Sequence, residues 1–126
     1  MTARDEVVAA LAALPDLPAG IRVMPYARAL TNLSQTVAMV RVDRVERGAV
    51  AGTRAYAMAV VVVSPKTEPG PADDELDGAL EDVLHALETG NTGFLIGTAT
   101  RAVFGDSQWP AYEIALTVHT QKETTP

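Results

Sequence analysis

Asp73, Asp74, Glu75 and Asp77 crowd one short part of the sequence, within PADDELDGALEDVLHALETG. Clustered carboxylates of this kind can hold Mg²⁺ or exchange protons in acid/base catalysis. They also stand where a helix would begin, and negative charge is favoured beside the free N–H groups of a first turn, so capping accounts for them without chemistry. His85 with Asp82 offers a pair of metal ligands, but zinc sites take more protein ligands than a pair, and His119 is the only other histidine. A solvated helix edge is the simpler reading. Ser34, Ser64 and Ser107 lack the flanking residues of a nucleophile elbow, so no triad is expected. Gly90, Gly93 and Gly97 do not follow the spacing of phosphate-cradling loops and read as turn glycines. The absence of cysteine removes disulfides, thiolate metal sites and a cysteine nucleophile. Neither a catalytic set nor a cofactor or metal site is expected.

The acidic stretch is the clearest structural element. Leu76, Leu80, Val83, Leu84 and Leu87 share one stripe of a helix with about 3.6 residues per turn. This spacing predicts a helix over 71–90, capped by Asp73 or Asp74, stopped at Gly90 and centred on Leu80 and Leu84. Such a helix needs a surface to lie on, and the strand-like stretches on either side supply it.

At the start of the chain, Thr2 with Asp5 fits a capping box, and Val7, Leu11 and Leu14 recur at helical spacing until Pro15. Ile21 and Val23 flank Arg22 in a brief strand that stops at Pro25, and 26–35 shows no clear period. From Thr36 to Glu46 the pattern alternates, with Ala38, Val40 and Val42 on one side and Met39, Arg41 and Asp43 on the other. ERGAVAGT reads as a hairpin loop, followed by a strand over 54–64 that is apolar on both faces and therefore central. PKTEPGPA reads as a stiff linker and a contact loop. Strands are predicted over 98–104 and 112–120, separated by the turn GDSQWPA, and the tail QKETTP should fray. The expected fold is a single α+β domain over 1–126, in the order α-β-β-β-α-β-β, with a mainly antiparallel sheet and two helices packed on one face.

With 126 residues the chain can bury about two-thirds of the surface its unfolded form exposes, enough for one core. The start MTARDEVVAALAALP does not read as a secretory signal, and no run approaches a membrane span, so an intracellular, soluble protein is expected. Ten Lys plus Arg against sixteen Asp plus Glu give a net charge of −6, which disfavours a nucleic-acid-binding face.

Two features point beyond a lone subunit. The 54–64 strand has two apolar faces but the helices cover one, so either the sheet curls around its own side chains or another subunit covers the second face. In addition, Arg41, Arg44, Arg47 and Arg54 lie on one hairpin, while Asp73, Asp74 and Glu75 mark the start of the main helix. Head-to-tail pairing of two such patches closes into a ring when the rotation allows it.

An N-terminal helix ending in Leu-Pro, the segment VMPYARAL, the strand MVRVDRVE running into a glycine loop, the stretch PGPADDELDGALEDVLHALE and a late QWPAYEIAL strand together resemble the small tail terminator proteins of long-tailed bacteriophages. The resemblance spans nearly the whole chain as a pattern of elements. It implies an α+β subunit that forms a homo-oligomeric ring, a hexamer, on the last ring of the major tail protein. Such a ring ends tube growth and presents a surface to a head completion or stopper protein. It also implies no catalysis and no cofactor, a subunit made in the host bacterial cytoplasm and placed in the virion at the head-proximal end of the tail, and an acidic channel through which DNA slides without sticking. A head–tail stopper protein, or a small ligand-binding or regulatory α+β domain with a pocket on its apolar sheet face, remain the alternatives.

Overall fold

Period-two alternation in the middle and at the end of the chain builds a five-stranded sheet, and the helical spacings on either side supply one layer of helices. The computed structural model describes residues 3–12, 21–24, 35–48, 51–66, 69–90, 94–105 and 108–121. Its elements are α1 (Ala3–Ala12), β1 (Arg22–Met24), β2 (Val37–Arg47), β3 (Thr53–Val63), α2 (Pro69–Gly90), β4 (Phe94–Phe104) and β5 (Trp109–Gln121), the expected order and an α+β fold. The strands lie in the order β1-β2-β3-β5-β4. All pairings are antiparallel except β1 with β2. β3 is central, as a strand with two apolar faces must be to keep both out of water.

Both helices cover the same face. Val7 and Leu11 of α1 and Leu76, Val83 and Leu87 of α2 close on Ala38, Val40, Met58, Val60, Val62, Ile114, Leu116 and Val118 in one core. Arg4 anchors α1 further by donating to the Val40 carbonyl at 3.3 Å. On the opposite face a smaller cluster of Met24, Val37, Met39, Val61, Val63, Trp109 and Ala111 is buried, with Phe104 packed against it. Further along that face the side chains of β3 and β5 become small or polar, and Leu95 of β4, the register partner of Thr117, is 59% exposed. Ala57 and Thr117 are half-buried there, and Ala115 and His119 are exposed.

Several expected boundaries move. α2 begins at Pro69, so PGPA is not a linker but the first helical turn, and Ala72 is buried. The prolines fit there because the first N–H groups of a helix have no intrahelical partner to lose. Asp73 and Asp74 consequently fall beyond the first turn, which holds no acidic residue, and the capping account of the acidic cluster is corrected. The buried stripe is also not centred on Leu80 and Leu84, which are half-buried, but on the fully buried Leu76, Val83 and Leu87. Ala72, Ala79 and Ala86 extend this stripe on the side away from Leu84. Their small side chains let α2 approach its neighbours there. β4 starts at Phe94, with an irregularity between Ile96 and Ala99, and β5 starts at Trp109. The expected capping residue Thr2, the stripe residue Leu14 and the stop at Pro15 lie outside the described residues.

A bulge in β2 has the largest consequence for function. Val42 pairs with Met58 and Arg44 with Ala57, so Asp43 is the extra residue. One inserted residue inverts the alternation beyond it. Val45 and Arg47 therefore share the helix-bearing face with their register partners Tyr56 and Arg54, and Arg44 and Glu46 turn to the opposite face.

Candidate functional site

The four hairpin arginines occupy two different electrostatic situations. Arg41 donates to Asp43 Oδ1 at 2.6 Å and to Glu113 Oε1 at 2.6 Å, the second contact reaching from β2 across β3 to β5. Its register partner on β3 is Ala59, whose methyl group leaves room for the crossing. The hydrogen bonds to Asp43 and Glu113 outweigh burial and hold the guanidinium above its ordinary pKa. Arg44 pairs with Glu46 at 2.9 Å, both well exposed. These two arginines are satisfied within the chain.

Arg47 and Arg54 are not. They are direct register partners, exposed, and on one face, and neither has an acidic partner among the described residues. Like charges directly opposite in an antiparallel pair oppose strand pairing. With Gly48, Ala51, Gly52 and Thr53 they line a cleft of about 290 Å³ at the hairpin tip. Gly48 closes this turn by donating its N–H to the Thr53 carbonyl at 2.9 Å, and Gly52 takes a φ of 86°, a conformation that side chains disfavour. Below the tip, Val45 is 48% exposed and Tyr56 half-buried. This outer end of the hairpin, which β5 backs as far as Gln121, is thus more exposed than the stretch of β2 and β3 in the core.

The acidic residues also separate. Asp73 pairs with Arg101 of β4 at 2.8 Å, and Arg101 lies 5.5 Å from the centroid of the Tyr112 ring. Burial works against the charge of Arg101, yet its bonds to Asp73 and Tyr112 prevail and its pKa is raised. Glu75 points inward, with its side chain only 19% exposed. It accepts hydrogen bonds from the hydroxyls of Thr36 and Ser64, both buried, and from Lys66 Nζ at 3.0 Å. Burial pushes its pKa up, but the bonds from Thr36, Lys66 and Ser64 prevail and leave it lowered. Glu75 is a clip joining α2 to the ends of β2 and β3. Asp77 accepts a long contact of 3.5 Å from the Tyr112 hydroxyl. Asp74, Glu81 and Glu88 are exposed, and no cation pairs with them among the described residues.

Sequence reasoning brought out the arginines and the acids but missed the partners that distinguish them: Asp43, Glu113, Arg101, Thr36 and Lys66. A bulge and cross-strand register select those partners, and neither is periodic in sequence. Among the described residues no group of His, Asp or Glu is placed to hold a metal ion, and no helix is long and apolar enough to cross a membrane. Ser64 is fully buried, donating to Glu75 and accepting the Lys66 N–H at 3.1 Å, and it is inaccessible to a substrate. Ser34 and Ser107 lie outside the described residues. His85 is exposed, and its carbonyl accepts the Thr89 hydroxyl at 2.8 Å. Neither the scan of family profiles nor the comparison with characterised proteins returns a match for this chain.

Proposed function

We propose that this chain is a structural virion subunit, a tail terminator. In this reading it assembles as a homohexameric ring on the end of a bacteriophage tail tube, stops tube growth and offers the surface to which the head is joined. The role is non-catalytic and needs no cofactor. Its partners are other copies of the chain, the major tail protein and a head completion or stopper protein.

The observation that carries the reading is the exposed outer end of the β2–β3 hairpin. A lone globular subunit has little reason to end a hairpin, backed by β5 as far as Gln121, with a valine exposed and two facing arginines that have no acidic partner among the described residues, whereas an assembling subunit uses such an end to meet a neighbour. The α+β order of elements agrees with what the resemblance implies. The competing ligand-binding reading places a pocket on the sheet face opposite the helices. Met39, Val61, Val63 and Ala111 on that face are at most 1% exposed, which leaves no open apolar floor at that end.

The test is to mix the purified protein with purified tail tubes and inspect them by electron microscopy. A ring on one tip of each tube is expected, because only the tip presents unsatisfied subunit edges. Infections lacking the protein should yield unjoined heads and overgrown tubes. Decoration along tube sides, or joined particles with tails of normal length in its absence, would overturn the assignment.

A further inference from the structure

The helix-bearing side of the subunit carries two surfaces of opposite charge on different elements, with no ion pair to either among the described residues. One is the outer end of the hairpin, with the exposed Val45 and the free edge of Tyr56, itself packed against the main core, as an apolar base and Arg47 and Arg54 lining the tip cleft. The other is the solvent stripe of α2. Asp74, Asp77, Glu81 and Glu88 recur at three-, four- and seven-residue steps, which keeps them on one side of the helix, opposite Leu76, Val83 and Leu87. At about 1.5 Å per residue the stripe is about 21 Å long, and the last turn of α2 holds no basic residue to relieve it.

We propose that the hairpin end of one copy docks on the acidic stripe of α2 in the next, with Arg47 and Arg54 receiving its carboxylates and Val45 and Tyr56 packing beside them. The inference rests on the self-assembling part of the terminator reading and not on the tube. Its occupant is a second copy of this chain because each surface supplies the charge the other lacks. Planar guanidinium groups suit carboxylates, to which they can donate two parallel hydrogen bonds. The like-charge pairing of Arg47 with Arg54, unfavourable in the free hairpin, becomes favourable once a carboxylate lies between the two groups. Arg41 and Arg44 take no part, being already paired to Asp43, Glu113 and Glu46. The two surfaces differ, so the contact is head-to-tail, and each copy that docks leaves one surface of each kind free for the next.

The experiment measures the mass of the full chain by sedimentation velocity at low and high salt, for the natural sequence and for three variants. The variants are R47E/R54E, D74K/E81K, and the two combined in one chain. The natural protein is expected to self-associate, less so at high salt, since exposed ion pairs are screened. Each double reversal should weaken association by at least about tenfold, and the combined chain should regain it, because reversing both sides restores attraction. Circular dichroism melts verify folding, and R44E, well exposed on the opposite face of the hairpin, serves as a control for added negative charge. Association unaffected by the double reversals, no recovery in the combined chain, or a natural protein that is monomeric at every salt concentration would each overturn the contact. Recovery is also expected in an equimolar mixture of the two double reversals, because alternating copies set each Glu-bearing hairpin on a Lys-bearing helix and each natural hairpin on a natural acidic helix, and a mixture no more associated than either variant alone would overturn the contact. Ring formation on tube tips is scored separately. If tips are decorated by R47E/R54E as by the natural protein, the terminator reading stands and this contact falls.

Discussion

Replacing Glu75 separates a fold-holding carboxylate from an assembly surface. Its carboxylate accepts from two buried hydroxyls, Thr36 at 3% and Ser64 at 0% exposure, and from the ammonium of Lys66 at 3.0 Å. Glu75→Ala removes the acceptor of both hydroxyls at once. A buried polar group left without its partner costs about 1–3 kcal/mol, and the Ser64 hydroxyl keeps its bond from the Lys66 N–H, so a total of about 2–3 kcal/mol is expected. For a chain of this length that lowers the melting temperature by about 3–5 °C per kcal/mol, or about 6–15 °C. Glu75→Gln keeps a carbonyl oxygen for the hydroxyls and loses the ion pair, and about 1 kcal/mol is expected. Adding Glu75→Ala to a chain already carrying Thr36→Val and Ser64→Ala should cost less than in the natural chain, because no hydroxyl is then stranded. The pH dependence follows from the lowered pKa. Because the folded pKa lies below the ordinary 4.5, the contribution is fully present above that value and is lost as pH falls through the folded pKa. Thermal melts of the natural chain and Glu75→Gln between neutral pH and acid should therefore converge as the pH drops. If Glu75→Ala melts like the natural protein, or if the gap to Glu75→Gln widens in acid, the clip is not what holds α2 to the sheet.

Within α2, Leu76→Ala or Leu87→Ala should cost about 2–5 kcal/mol in chemical denaturation, and Leu80→Ala distinctly less, because the first two are fully buried and Leu80 is not. Equal costs at Leu76 and Leu80 would contradict the placement of the stripe. At the hairpin tip, a Cβ on Gly48 would lie 2.8 Å from Thr53 Cβ and 3.2 Å from its carbonyl carbon. Gly48→Ala should therefore distort the turn and destabilise the chain by about 1–3 kcal/mol, and an unchanged denaturation midpoint would show that the turn adapts freely.

Local pattern in the sequence was enough for the helix of α2, for the strands that became β2, β3 and β5, and for the central place of β3. Each depends on periodicity or on the number of apolar faces, which a chain displays residue by residue. Proline misled at PGPA, since the same residue that breaks a helix interior is harmless in a first turn, and only the run of hydrogen bonds after it decides which applies. The charged residues were legible as types but not as roles. Arg41 and Arg47 look alike in MVRVDRVERG, yet one is held by Asp43 and by Glu113 from a strand far along the chain, while the other has no acidic partner among the described residues. Asp73, Asp74 and Glu75 are consecutive, yet they meet Arg101, solvent and the Thr36–Ser64 pair respectively. Which charge is satisfied depends on cross-strand register, on the bulge at Asp43 and on the rotation of α2 about its axis. Those are properties of packed elements, fixed when apolar faces close on each other, and a linear sequence does not carry them locally.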